Sequence, residues 1–342
     1  MSDRARAWVW RAVQLAASAL VLVLLSRDVD ASALRGIRGR LAPGWLIVAL
    51  LIKTFTLYLH EQRLWLAFNP PRPPLRRVLG IGFAAGVLNL VLPGRAGDIA
   101  SVAMLRRETG VTVGAATAAV GVASFLEAAV FGSLLLGVLG LGARRWQEVL
   151  GAEAHGLALQ WVTIGTLGGV AAAVAATVIS RRLRPADAPT NTGPAPVEIL
   201  RETLRQAGSN FSTPAAMASN VGLAIVQVVG MVAAFALAFP AVGIEIPLPM
   251  LAAAGVLAVS SVASIVLPPS FGASPATASV AVLTVFGVTQ GDALAYAAAW
   301  WVISQLPATF IGLPCLWGRD WRPGQTGSQS TTTPPAGTDG VG

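Results

Sequence analysis

The stretch Leu88 to Ala100, LNLVLPGRAGDIA, decides how this chain is read. It opens as an apolar helix, breaks at Pro93 and Gly94, and sets Arg95 and Asp98 directly after the break. Two helix breakers and two charges in one place need a reason. The rest of the chain supplies the frame. Of 342 residues, 54% are hydrophobic and 12% charged, against about 25% charged in a soluble domain. This is the composition of an integral membrane protein. Apolar runs near the ~20 residues that cross a bilayer core occupy 8–25, 45–68, 113–141, 157–179, 215–239 and 291–317, and two shorter ones occupy 78–92 and 251–267.

The net charge of +8 is carried by arginines in loops, with Lys53 the only lysine. Arginines that flank spans set topology and touch anionic headgroups, so nucleic acid is not expected as a partner. A single cysteine, Cys315, excludes an internal disulfide. His60 and His155 lie far apart, each read as a residue at a span end, and neither a metal nor a cofactor is expected. The Ala, Gly, Arg and Pro bias suggests a GC-rich bacterial genome and hence the cytoplasmic (inner) membrane. Arg4, Arg6 and Arg11 place the N-terminus in the cytoplasm, and the run behind them is expected to stay as an uncleaved anchor although ASA at 31–33 imitates a cleavage site. PPRPPLRR (70–77) and RRLRP (181–185) mark further cytoplasmic loops, and the C-terminus is placed on the same side. Arg27, Arg35, Arg38 and Arg40 then fall outside, against the rule.

After Arg76 and Arg77, an apolar helix of about 15 residues would reach about 22 Å at 1.5 Å per residue, short of the ~30 Å hydrocarbon core. It is predicted to turn back at PGRAGD and return to Arg106 and Arg107 as a re-entrant hairpin. Irregular polar backbone is tolerated at that depth only inside protein or beside water. The design recurs. GVTVGAATAA (110–119) matches GVTQGDALAY (287–296), and VLPGRAG (91–97) matches VLPPSFG (266–272). With three spans between the broken segments, the second copy is inverted, the arrangement of transporters with a midplane site.

Asp98 can cap the restarted helix or bind a ligand; Ser274 before Pro275 offers the equivalent start in the second copy. Arg95 can hold phosphate oxygens beside the free N–H groups of the helix start, or pair with Asp98 or Glu127. Glu127, inside an apolar span, is a functional candidate by position. Lys53 either snorkels to an interface or meets a buried partner. Asn89 and Gln227 read as interhelical hydrogen-bond residues. PVEILRETLRQAG (196–208) is a surface helix that could lie on the membrane, and the tail 318–342, rich in Gly, Ser, Thr and Pro, reads as disordered.

Over LNLVLPGRAGDIASVAMLRRETG (88–110) the sequence resembles the flippase-like family of bacterial membrane proteins, the lysylphosphatidylglycerol synthase transmembrane region that forms the membrane domain of the multiple peptide resistance factor. A Pro-Gly-x-x-Gly-acid element of that family is matched by Pro93, Gly94, Gly97 and Asp98, and a second Pro and Gly element by Pro268 and Gly272. Many members carry a Glu-Arg pair and a nearby Asp in the next helix, whereas ASFLE (123–127) keeps only Glu127, and the second copy lacks the acidic residue after its Gly. The soluble aminoacyl-transfer domain is not among these residues, so lipid aminoacylation is not expected.

The expected fold is therefore all-α and polytopic. It comprises about eight membrane segments, two of them re-entrant, in a transmembrane domain over 1–317 with repeats at about 45–141 and 215–317. The resemblance implies movement of a phospholipid or lipid-linked molecule between leaflets, with no enzymatic activity. The substrate-binding candidates are Lys53, Pro93, Gly94, Arg95, Gly97, Asp98, Glu127, Pro268 and Gly272. Membrane lipids with an anionic headgroup or phosphate are the expected partners, alongside a homo-oligomer or a membrane enzyme. The alternatives are a scaffold subunit of a lipid-modifying or glycosyltransferase system, and a small-solute transporter.

Overall fold

In the computed structural model the described residues are 39–91, 96–141, 196–210, 214–266 and 272–317, with scattered residues between 147 and 178 and Val23. They are all-helical, with no strand among them. The helices are α1 (Pro43–Leu66), α2 (Leu75–Val91), α3 (Ala96–Thr109), α4 (Val113–Leu141), α5 (Pro196–Asn210), α6 (Pro214–Ala236), α7 (Ala238–Ala241), α8 (Pro249–Val266), α9 (Ala273–Leu283) and α10 (Gln290–Trp317). Among the described residues, four stretches are long and apolar enough to cross a membrane: Pro43–Leu66, Val113–Gly137, Met217–Ala241 through α6 and α7, and Gln290–Trp317. They match four of the six expected spans. The run 8–25, apart from Val23, and the tail 318–342 lie outside the described residues, and 157–179 is described only at scattered helical positions.

The chain starts and stops these helices with local chemistry. Pro43, Pro214 and Pro249 stand at the beginnings of α1, α6 and α8, where the missing N–H costs nothing. Gly110 and Gly287 take left-handed φ values of 74° and 77°, a conformation that glycine adopts without a Cβ clash, and close the short stretches before α4 and α10. Two residues on, the Thr112 and Thr289 hydroxyls accept the N–H of Ala115 at 3.1 Å and of Asp292 at 3.2 Å. The GVT motifs of the two matching stretches thus build one and the same junction twice, a glycine stop followed by a threonine cap.

Element lengths follow the same rhythm. A long helix, two short ones and a long one (α1 to α4) are followed, after α5, by long, short, short and long again (α6, α8, α9, α10). Neighbours correspond as well: α2 packs on α10 and α8 on α4, α1 on α10 and α6 on α4, and α1 and α6 pack on each other. The short elements differ in how they begin. Gly272, at φ 74°, is the N-cap of α9 with no side-chain cap, and Ser274 is fully buried inside the helix. Ser274 is therefore not the helix start that its place before Pro275 suggests, because the left-handed glycine turns the chain two residues earlier.

Two cores result. One, around α6, α8, α9 and α10, holds the stacked pairs Phe235–Trp300 at 4.5 Å and Phe239–Tyr296 at 4.2 Å between ring centroids. The other, around α1 to α4, is built from small residues such as Ala84, Ala85, Ala116, Ala119 and Ala123, which lets backbones approach closely. At one end of the bundle Arg40 pairs with Asp292 at 2.7 Å and leans on Gly243. One of the arginines that defied the charge rule thus ties the start of α1 to the start of α10. Helix α5 docks on the protein: Glu202 packs over Gly114 of α4, and Gln206 accepts from Asn69 in the loop before α2.

Candidate functional site

A cavity of about 220 Å³ opens where α1, α2, α3, α4 and α6 meet. Its chemistry begins on α1, where Lys53, Thr56, His60 and Arg63 recur at i, i+3, i+7 and i+10, the spacing of one helix face. Arg63 is fully buried. It donates to Gln227 Oε1 of α6 at 2.5 Å and to the Ala123 carbonyl of α4 at 2.7 Å. The Glu127 carboxylate, one turn further along α4, accepts from His60 Nδ1 at 2.9 Å and from Gln227 Nε2 at 2.9 Å, with Arg63 Nη1 3.9 Å away. Gln227 thus relays between guanidinium and carboxylate, taking a proton donor from one and offering one to the other. A buried ionic group needs this satisfaction to be tolerated.

The broken pair α2–α3 forms another wall. Asn89 of α2 accepts the Gly97 N–H at 2.8 Å and donates to Asp98 Oδ1 at 2.9 Å, so one amide holds the first turn of α3. Ser101 donates to the Asp98 carbonyl at 2.7 Å. Gly97 is required by contact: a Cβ there would lie 2.2 Å from the Ala85 carbonyl oxygen. On the opposite side of the cavity the Lys53 ammonium stands 5.7 Å from the Phe235 ring, a cation–π distance. Its buried partner is an aromatic face of the core around α6, α8, α9 and α10.

Of the candidates drawn from sequence, Lys53, Asp98 and Glu127 line this one cavity, and Gly97 lies directly behind it on Asn89. Gly272 stands elsewhere, its α-carbon facing Trp301 of α10. Pro93, Gly94, Arg95 and Pro268 lie outside the described residues. The reading of the sequence passed over His60, Glu61, Arg63 and Ser101. The α1 spacing was the available signal, masked because His60 to Arg63 fall near a span end, where polar residues are ordinary. The cations absent from the sequence neighbourhood of Glu127 are supplied by α1. Among the described residues no group of three or more His, Cys, Asp or Glu could hold a metal ion.

A helical bundle with several helices long and apolar enough to cross a membrane, and a charged cavity where five helices meet, defines a polytopic membrane protein. The chain belongs to the lysylphosphatidylglycerol synthase TM region family, whose match covers residues 11–312. That membership ties the protein to membrane lipid biology. No curated protein and no solved structure matches the chain.

Proposed function

We propose that the protein is a lipid flippase of the bacterial inner membrane, moving a phospholipid or lipid-linked molecule between leaflets without catalysing a chemical reaction. One observation carries this reading: the charged cavity lies against the α2–α3 break, among the crossing helices. Intramembrane ionisable groups mark substrate pathways. At about 220 Å³ the space is below the ~300–1,000 Å³ of pockets that enclose a whole small molecule. It suits a headgroup whose acyl chains stay in the bilayer. The α3 N-terminus would face its phosphate, and Arg95, one residue before α3 in the sequence, is the proposed phosphate ligand.

The architecture of this proposal has about eight membrane segments, with α2–α3 and α8–α9 re-entrant and the second repeat inverted. The paired glycine–threonine junctions and the matched neighbour relations of the two halves support it. Alternating access would then rock one repeat against the other.

Leaflet exchange of labelled anionic and zwitterionic lipids in proteoliposomes tests the function. Wild-type protein is expected to exchange at least one class. Glu127→Ala, which removes the acceptor shared by His60 and Gln227, is expected to slow it about tenfold or more, as losses of charged hydrogen bonds of about 1.5–3 kcal/mol imply. Folded wild-type protein that exchanges no lipid would overturn the reading in favour of a scaffold or a solute carrier.

A further inference from the structure

Glu61 differs from the other carboxylates of the cavity. Glu127 takes donors from two side chains and Asp98 takes one from Asn89. Glu61 is 7% exposed, and its Oε2 has no hydrogen-bond partner. The group is pressed against α2 at Gly82, where a Cβ would stand 1.5 Å from Oε2 and 2.0 Å from the carboxyl carbon. Only the bare α-carbon leaves room for it. Among the described residues, the charged groups around it are Lys53, His60 and Arg63 from α1 itself, Asp98 from α3 and Glu127 from α4; α2 offers Gly82 and Asn89, and α6 offers Gln227.

An ionised carboxylate in this place would be desolvated without a donor, and the attraction of His60 would be opposed by the repulsion of Asp98 and Glu127. A neutral carboxylic acid carries a far smaller penalty. We propose that Glu61 is a proton-binding site that couples the seating of α2 on α1 to the state of the cavity. With the proton bound, α2 rests on the Glu61 carboxyl at Gly82, as the structure shows the contact. When the proton leaves to water entering the cavity, the carboxylate needs hydration, and α2 withdraws from α1. The seat on the far side of α2 is equally close: a Cβ on Gly312 of α10 would lie 2.3 Å from the Phe83 carbonyl oxygen and 2.4 Å from Val87 Cγ2. A withdrawal from α1 is therefore a movement along α10, not into it. As the driving step of transport this rests on the lipid-carrier reading, whereas the proton site and the movement do not.

Infrared difference spectra of liposome-embedded protein between acidic and alkaline buffer read the proton directly. A titrating carboxylic C=O band is expected in wild type, lost in Glu61→Gln and kept in Asp98→Asn. The movement is read by Gly86→Cys in a Cys315→Ser background, since Gly86 lines the cavity and a Cβ there meets nothing within 4 Å. The ratio of its reactivity toward an impermeant thiol reagent in the otherwise unchanged protein to that in Glu61→Gln cancels the thiol's own titration. This ratio is expected to rise about tenfold from acid to alkali, within the range that coupling free energies give. Gly82→Ala, which displaces the carboxyl from the other side, is expected to flatten the rise and serves should Glu61→Gln fail to fold. A C=O band that survives Glu61→Gln, or a ratio that stays flat, overturns the proposal. Band and ratio as expected, with no lipid exchanged at any pH, would leave the proton site standing and remove the lipid-carrier reading.

Discussion

The two broken pairs, α2–α3 and α8–α9, occupy matching places among the helices and are held together by different means. Across 75–109 the chain carries Arg76, Arg77, Arg95, Asp98, Arg106, Arg107 and Glu108, while 249–283 carries no charged residue. In the first pair a polar clamp runs from Asn89 to Gly97 and Asp98. In the second, Ala273, Ala276 and Ala278 are buried, and the hydroxyls of Ser274 and Ser279 are buried with no hydrogen-bond partner. Equivalent architecture does not require equivalent chemistry: one pair walls a charged cavity, and the other packs into an apolar core.

The largest expected break in this contrast is at Arg63. Arg63→Ala would leave Glu127 and Gln227 without their buried cation and is expected to cost about 3–5 kcal/mol, as broken buried charge pairs do; denaturant unfolding in mild detergent reads it. Next come the glycines of the two breaks. Gly97→Ala drives a methyl group into the Ala85 carbonyl and is expected to cost about 1–3 kcal/mol by overpacking. Gly272→Ala meets only Trp301 at 3.7 Å, so its cost is that of the left-handed backbone, about 1 kcal/mol. Equal costs at the two glycines would erase the distinction between a contact-limited and a dihedral-limited break.

A finer test compares hydrogen bonds. Asn89→Ala removes both bonds of the clamp and is expected to cost about 1–3 kcal/mol, whereas Ser274→Ala deletes a hydroxyl that has no bond and is expected to be neutral or stabilising. A destabilised Ser274→Ala protein would mean that the second pair has a polar tie of its own. The smallest effect belongs to Arg40→Ala. Its pair with Asp292 is half exposed and is worth about 0–1 kcal/mol, and added salt should reduce even that.

Much of this was legible in the sequence. Hydropathy located the four long spans, and the breakers at Pro93 and Gly94 separated α2 from α3. The GVT repeat stood for a real structural junction, because a left-handed glycine and a threonine cap are decided by a few adjacent residues. Glu127 declares itself by standing in an apolar span, and Asp98 by following the helix break. What was hidden depends on distance along the chain. Arg63 and Gln227 meet across 164 residues, and Arg63 near the end of a span looks like any flanking arginine. Nothing in the sequence sets Gly82 and Gly312 apart from the other glycines, since only the opposing surface shows what each one admits. Ser274 misled because serine before proline is a good local cap, and the preceding left-handed glycine overrode it.

The extensive contact between α1 and α6 maps onto itself when the two halves are exchanged. There a Cβ on Gly230 would lie 2.9 Å from the Thr56 methyl carbon. Under the proposed duplication, an ancestor assembled from two identical copies would have carried every specialisation twice, and a change at this crossing would have met itself. Joining the copies in one chain would relax that constraint, at the axis included, since α1 and α6 then change separately. One half would then be free to keep the charges and the other to become their dry counterweight, a division of labour closed to a symmetric dimer.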